Sequence, residues 1–265
     1  MPERFAVWQA LLWTAGATAG LSLALTWVMA AFGQRIDIVP LGLTQVGVYG
    51  LAVILFASRL KTPLSELLAL RSVPLRSCLV AAALGVALQF PSTLLANVVD
   101  QLYPLPEEVL KHRLALITPH SAVHGVIIVL VVSFVGPCVE EFFFRGVLFG
   151  ALRRGYSAFV AMAVVSLCSV LAHMDLRMLL PLLPAAWLMA EVREASGSIW
   201  PGLSLHAAFN SLTLLGVFGG FVTAGKPPPV PPTLALLGCL VAAGLFLLFR
   251  RIFADRQHWS PRRLR

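Results

Sequence analysis

Hydrophobic positions in this chain fall into long unbroken runs, separated by short stretches where charge and proline collect. Eight such runs cover roughly residues 5–32, 43–58, 77–99, 121–151, 157–173, 178–193, 199–222 and 233–253. Runs of about 17 to 28 apolar residues are long enough to cross the hydrocarbon core of a bilayer as helices. A backbone in hydrocarbon must satisfy its own hydrogen bonds, and the runs lack the short alternating segments of a membrane barrel, so they read as helices. The pattern predicts an all-α fold: a polytopic transmembrane bundle of about eight spans, with residues 1–265 forming a single membrane domain. Pro91 in the third span and Pro181 and Pro184 in the sixth predict kinks there.

Composition agrees. Hydrophobic residues make up 58% of the chain and charged residues 12%, against roughly 25% charged in a soluble domain. The net charge of +8 raises the question of nucleic acid, but its placement argues for a bilayer. Arg59, Lys61, Arg71 and Arg76 fill the second loop and Arg153 and Arg154 the fourth, while Arg250, Arg251, Arg256, Arg262, Arg263 and Arg265 make a basic tail. The third loop balances Asp100, Glu107 and Glu108 against Lys111 and Arg113. Cations on alternate loops follow the positive-inside rule, which puts both termini in the cytoplasm and makes the tail a lipid-headgroup feature. The first run, near 27 residues, exceeds the roughly 7–15 of a signal peptide and reads as an uncleaved span. Cys78, Cys138, Cys168 and Cys239 lie inside spans without a CxxC pattern, and so read as buried small hydrophobes with no disulfide. Lys226–Pro232 reads as a stiff polyproline connector.

Against this background a few polar residues stand out. Glu140 and Glu141 are the two acids inside a span; the other acids fall in loops, tails or span ends. Two carboxylates in hydrocarbon cost several kcal/mol unless paired or wetted, which marks a functional site. Arg145 lies four residues beyond Glu141, so the two can pair along one helix face. Glu140 is turned about 100° away and is left to face another helix. His173 near the end of the fifth span, with His206 and Asn210 one turn apart in the seventh, completes the intramembrane polar set. Counting from Ser157 places His173 about 24 Å deep, deeper than the others, a mismatch that a tilted fifth helix would close. His120 and His124 have ligand-like spacing but lie about 24 Å from Glu140 along the same helix, and read as interfacial residues.

The order Glu-Glu-x-x-x-Arg, then a histidine ending a following span, then His-x-x-x-Asn resembles the CAAX protease and bacteriocin-processing (CPBP, or ABI) family of intramembrane glutamic proteases. These are relatives of the type II CAAX prenyl endopeptidase. The resemblance covers roughly residues 120–222 as a catalytic core, leaving 223–265 as the last span and basic tail. It implies an intramembrane endopeptidase, a hydrolase of glutamic type. Glu140 would activate water with His173 orienting it, His206 and Asn210 would stabilise the oxyanion, and Glu141 with Arg145 would support the helix. One departure is Ser169, four residues before His173, where the family often has an aromatic residue.

Other readings stay open on the sequence alone. If the enzyme used a metal, zinc would be held by Glu140, His173 and His206, but HExxH is absent and asparagine is a poor zinc ligand. No cofactor is expected. A proteolytically silent membrane scaffold of the same family would be expected to lose part of the polar set, and a proton-coupled transporter to show repeats with broken helices. The expected partners are the lipid bilayer and a membrane-anchored protein or peptide cut in its membrane segment or near its C-terminus, with no nucleic acid. The abundance of Ala, Leu and Arg points to a bacterial inner (cytoplasmic) membrane.

Overall fold

The apolar runs become helices because a backbone in hydrocarbon must bond to itself; proline stands at several starts (Pro74, Pro106, Pro231) and glycine at two ends (Gly197, Gly219). The computed structural model describes residues 5–32, 37–60, 63–222 and 228–254. Its helices are α1 (Val7–Phe32), α2 (Ile38–Leu60), the single turn α3 (Leu64–Leu67), α4 (Leu75–Leu102) and α5 (Glu107–Ile117). There follow α6 (Ala122–Arg153), α7 (Ala158–Leu171), α8 (Leu179–Ser196), α9 (Trp200–Phe218) and α10 (Pro232–Ile252). No strand occurs among the described residues. Lys61, Lys226 and the tail residues Arg256, His258, Arg262, Arg263 and Arg265 lie outside them.

All eight apolar runs are helical, and the protein is an integral membrane protein. Five helices, α1, α2, α4, α6 and α10, are long and apolar enough to cross a bilayer. The other three depart from that standard for identifiable reasons. Helix α7 has 14 residues, α8 carries Glu191, Arg193 and Glu194 in its last turns, and α9 carries His206 and Asn210. These are the helices that enclose the intramembrane polar set. The third loop differs from expectation by containing α5, which begins after Pro106 with Glu107 and Glu108 in its first turn, where carboxylates suit the helix dipole.

Packing centres on α4, which lies against α8, α9 and α10. Gly85 is where α4 and α9 meet most closely: a methyl group there would overlap the Leu205 carbonyl oxygen. At Pro91 helix α4 continues unbroken, and the missing N–H leaves the Ala87 carbonyl without its helical donor. Gly238 of α10 fills that notch, with an added Cβ reaching 2.8 Å from the Ala87 oxygen and 3.0 Å from Pro91 Cδ. Pro184 likewise sits inside α8, whereas Pro181 lies in its first turn, where no intrahelical N–H is needed. A second core joins Phe143, Phe144, Val147, Leu148 and Phe149 of α6 to Tyr49 and Phe56 of α2 and Val165 of α7. Leu23, Trp27, Leu75 and Leu237 are exposed on the outer face, as a lipid-facing surface requires. The cysteines correct one expectation: Cys168 is buried, Cys78 and Cys138 are half-buried, and Cys239 on the outer face of α10 is exposed.

Charge is gathered at the two ends of the bundle. At one, Arg153 grips Glu194 through two bonds of 2.9 and 2.8 Å, Arg250 reaches Glu191 at 3.5 Å, and the Ser198 hydroxyl donates to the Arg71 carbonyl at 2.6 Å. At the other, Arg113 pairs with Asp175 at 2.9 Å, Arg177 with Asp100 at 2.8 Å, and His124 with Asp37 at 3.2 Å. His120 bonds His124 there, an end position that fits the interfacial reading of both.

Gly85→Ala therefore lowers stability by about 1–3 kcal/mol, the range for overpacking a tight contact, as measured by reversible unfolding in detergent. Gly47→Ala, whose added methyl meets nothing within 4 Å, leaves stability unchanged or slightly raised.

Candidate active site

The paired glutamates sit on one turn of α6 between two stretches of wider π-helix, Val131–Val135 and Phe142–Leu148. In such a turn an N–H reaches the carbonyl five residues back rather than four, and the skipped carbonyl is left free. The Gly136 N–H bonds Val131 and so skips Val132; the Val132 oxygen instead accepts from Asn210 Nδ2 at 2.9 Å. The Phe149 N–H bonds Phe144 and Gly146 and so skips Arg145; the Arg145 oxygen accepts from Arg193 Nε at 3.2 Å. Each widened turn is thus completed by a side chain from a neighbouring helix, one from α9 and one from α8. Pro137, which lacks an N–H, follows directly on the first of these turns and removes a further donor from the ladder.

Glu141 is fully buried. Its Oε1 forms an ion pair with Arg145 Nη1 at 3.1 Å and accepts from His206 Nδ1, also at 3.1 Å, while Arg145 Nη2 donates to the Ala186 carbonyl at 3.0 Å. Glu141 Oε2 has no hydrogen-bond partner and packs against the bare Cα of Gly202, where an added Cβ would come within 3.1 Å. Glu140 faces the other way. Its Oε1 accepts from Gln45 Nε2 of α2 at 2.6 Å, and its Oε2 is 3.8 Å from His206 Nε2, too far for a direct hydrogen bond. His206 therefore lies between the two carboxylates.

His173 is not in α7 but in the turn after it, where tight bonds from its N–H to Val170 and from Met174 to Leu171 fold the chain back. Its Nδ1 lies 3.0 Å from the Ser169 carbonyl. A carbonyl can only accept, so Nδ1 carries the proton and Nε2 of the neutral ring is a free acceptor. Met174 holds a positive φ of 53°, a conformation unusual for a side chain larger than glycine. The expected depth mismatch does not keep His173 away from Glu140. Thirteen residues separate Glu140 from Arg153, a rise of about 20 Å, and the turn at His173 adds no further helical rise.

A cavity of about 100 Å³ is lined by Glu140, His173, His206 and Asn210, with Ser169, Arg145 and apolar residues of α8 and α9 completing its wall. That volume is ample for water. The structure thus brings the four residues singled out by pattern onto one cavity, with Glu141 and Arg145 bracing them from behind. Ser169, the departure from the family's aromatic, lies in the wall, and its hydroxyl is turned back to the Ser166 carbonyl at 3.0 Å. Two participants escaped the sequence reading. Gln45 is the lone amide in its apolar run, a signal of the same kind as Asn210, but with no acid or histidine near it in the run to mark it. Arg193 lies near a span end, so nothing in its position showed that it would be buried. Among the described residues, no three His, Cys, Asp or Glu side chains are gathered closely enough to hold a metal ion.

Residues 122–212, which carry every one of these motifs, match the family described as Type II CAAX prenyl endopeptidase Rce1-like. Over that third of its length the chain is similar to the CAAX protease family. Over 89 residues it is 29% identical to a Bacillus subtilis (strain 168) protein named "Putative membrane peptidase YdiL". That alignment covers 34% of this chain and 36% of the relative, so about a third of the relative's length is spanned. No solved structure matches. The family segment takes in α6 to α9 up to residue 212, so Gln45 of α2 reaches Glu140 from outside it.

Two predictions follow from the bracing contacts. Arg145→Met strands a buried carboxylate and costs about 3–5 kcal/mol; adding Glu141→Gln recovers part of that loss, as a double-mutant cycle of unfolding free energies will show. The second concerns Asp175, which helps to hold the His173 turn. Partial burial alone would raise its pKa, but hydrogen bonds from Arg113 and the Arg177 N–H, with both arginine charges, outweigh this and hold it below the usual aspartate range. A depressed folded-state pKa means the stabilisation is fully present above the unfolded value of about 3.9 and is lost as pH falls through the folded value. The hydrogen-exchange protection factor at residues 173–177, corrected for the intrinsic pH dependence of exchange, is therefore flat above pH 5 and falls below about pH 4. Asp175→Asn removes that acid step, at a cost near 0.5 kcal/mol for so exposed a pair.

Proposed function

We propose that this protein is an intramembrane endopeptidase in which Glu140 activates a water molecule. The observation that carries the reading is the single cavity shared by Glu140, His173, His206 and Asn210, three of whose segments are far apart in sequence. Glu140 Oε2 takes a proton from water as the water oxygen attacks the scissile carbonyl carbon. The free Nε2 of His173 accepts the water's other hydrogen and orients it. The carbonyl oxygen becomes an oxyanion, which Asn210 meets with the amide hydrogen not engaged on Val132. His206 joins it when its ring carries both protons, donating through Nδ1 to Glu141 and through Nε2 to the oxyanion. As the C–N bond breaks, the proton held by Glu140 passes to the departing amine. No acyl-enzyme forms, and no step passes through a metal.

The substrate is a membrane-anchored protein or peptide cleaved near its C-terminus or within its membrane segment, because a site walled by helices admits a chain that is already in the bilayer. Basic residues at the end shared by Arg71, Arg153 and Arg250 favour placing that end in the cytoplasm of a bacterial inner membrane.

Purified protein will cleave a panel of C-terminal membrane-tail peptides. Glu140→Gln lowers kcat by at least about 10²-fold, Asn210→Ala and His206→Ala lower it by about 10²–10³, and a zinc chelator leaves it unchanged. Cleavage that survives Glu140→Gln removes the assigned base, and chelator-sensitive cleavage replaces the mechanism with a metal-dependent one.

A further inference from the structure

Glu140 needs one of its two oxygens aimed into the cavity, yet its own helix does nothing to fix the carboxylate's rotation. The residues that brace Glu141 are all engaged elsewhere: Arg145 on Glu141 and Ala186, and His206 Nδ1 on Glu141. What holds Glu140 is Gln45, about two turns into α2, whose Nε2 donates to Glu140 Oε1 at 2.6 Å. An ionised carboxylate can only accept, so the amide nitrogen must be the group that faces it. At that length the bond belongs with charge-assisted ones. The backbone is shaped to admit this amide. Gly136 stands opposite Gln45 Oε1, and a Cβ there would come within 3.2 Å of it and 3.3 Å of the Val131 carbonyl. Gln45 is not part of the cavity wall.

We infer that Gln45 is a positioning residue for the proposed hydrolysis. It occupies Glu140 Oε1 and so commits Oε2, the oxygen beside His206 Nε2, as the one that takes the proton from water. The inference rests on the protease reading for its catalytic consequence, but the hold on Glu140 stands independently of it. It also makes the site depend on a helix outside the family-matched segment. A structural role alone is a poor account, since a lone amide in hydrocarbon is stabilising only where its partner also has to be there.

The test uses full-length protein in nanodiscs with two variants. Gln45→Met keeps length and volume but removes the donor; Gln45→Glu keeps the shape and replaces the donor by an acceptor, and serves if the first perturbs packing. Modification of Glu140 by dicyclohexylcarbodiimide, followed by mass spectrometry, reads the carboxyl group directly and needs no substrate. Both variants should change its rate at least threefold, while modification of Glu191, remote from Gln45, stays constant. On a peptide that wild type cleaves, Gln45→Met should lower kcat about tenfold with KM unchanged. Equal modification rates in wild type and both variants overturn the inference, as does a wild-type kcat in Gln45→Met. If wild type cleaves no peptide, the protease reading fails alone, and the modification rates still decide whether Gln45 governs Glu140.

Discussion

A carboxylate in the interior of a helical membrane bundle must be neutralised, and the rest of this site follows from how Glu141 meets that demand. Arg145, one turn along the same helix, supplies the charge at 3.1 Å. Holding the guanidinium still requires a further acceptor, which the Ala186 carbonyl of α8 provides. Holding the carboxylate requires a further donor, which His206 of α9 provides. One ion pair therefore fixes the relative placement of three helices, and His206 is left between Glu141 behind it and Glu140 ahead of it. The close fit of Gly202 against Glu141 Oε2 shows that α9 approaches as nearly as backbone allows.

The two widened turns of α6 serve the same end. A helix that kept regular bonding through Val131–Leu148 would offer its neighbours mostly carbonyls already engaged within the helix. By skipping Val132 and Arg145, α6 offers one carbonyl on either side of the glutamates, and Asn210 and Arg193 take them. Irregular backbone is tolerated at membrane depth where protein covers it. Here it converts backbone polarity into interhelical contacts, which is how residues on α6, α8 and α9 come to share a geometry that none could set alone.

Much of this was legible in the chain. The helical class followed from run length, and Glu140, Glu141, Arg145, His173, His206 and Asn210 were singled out because each is costly in lipid. The pairing of Glu141 with Arg145 and the outward turn of Glu140 followed from helical periodicity, even though a π-helical stretch begins directly after Glu141. Other features were hidden for physical reasons. Whether α7, α8 and α9 fill a span depends on what packs around them, not on their own length. Gln45 could not be matched to Glu140 because no periodicity relates α2 to α6. The π turns depend on tertiary donors, Asn210 and Arg193, so only Pro137 gave a local hint. The depth of His173, not its choice, was overestimated, because a residue past a helix end does not advance by helical rise.

The central claim is that water, activated by Glu140, attacks the peptide bond without a covalent intermediate on the enzyme. A single turnover in H₂¹⁸O, analysed by mass spectrometry of both the product and the peptide bearing Glu140, addresses it directly. The account predicts one ¹⁸O in the new C-terminal carboxylate and none in Glu140. An unlabelled product with ¹⁸O in Glu140 would mean that the carboxylate itself attacked the substrate and was then released by water, and would contradict it.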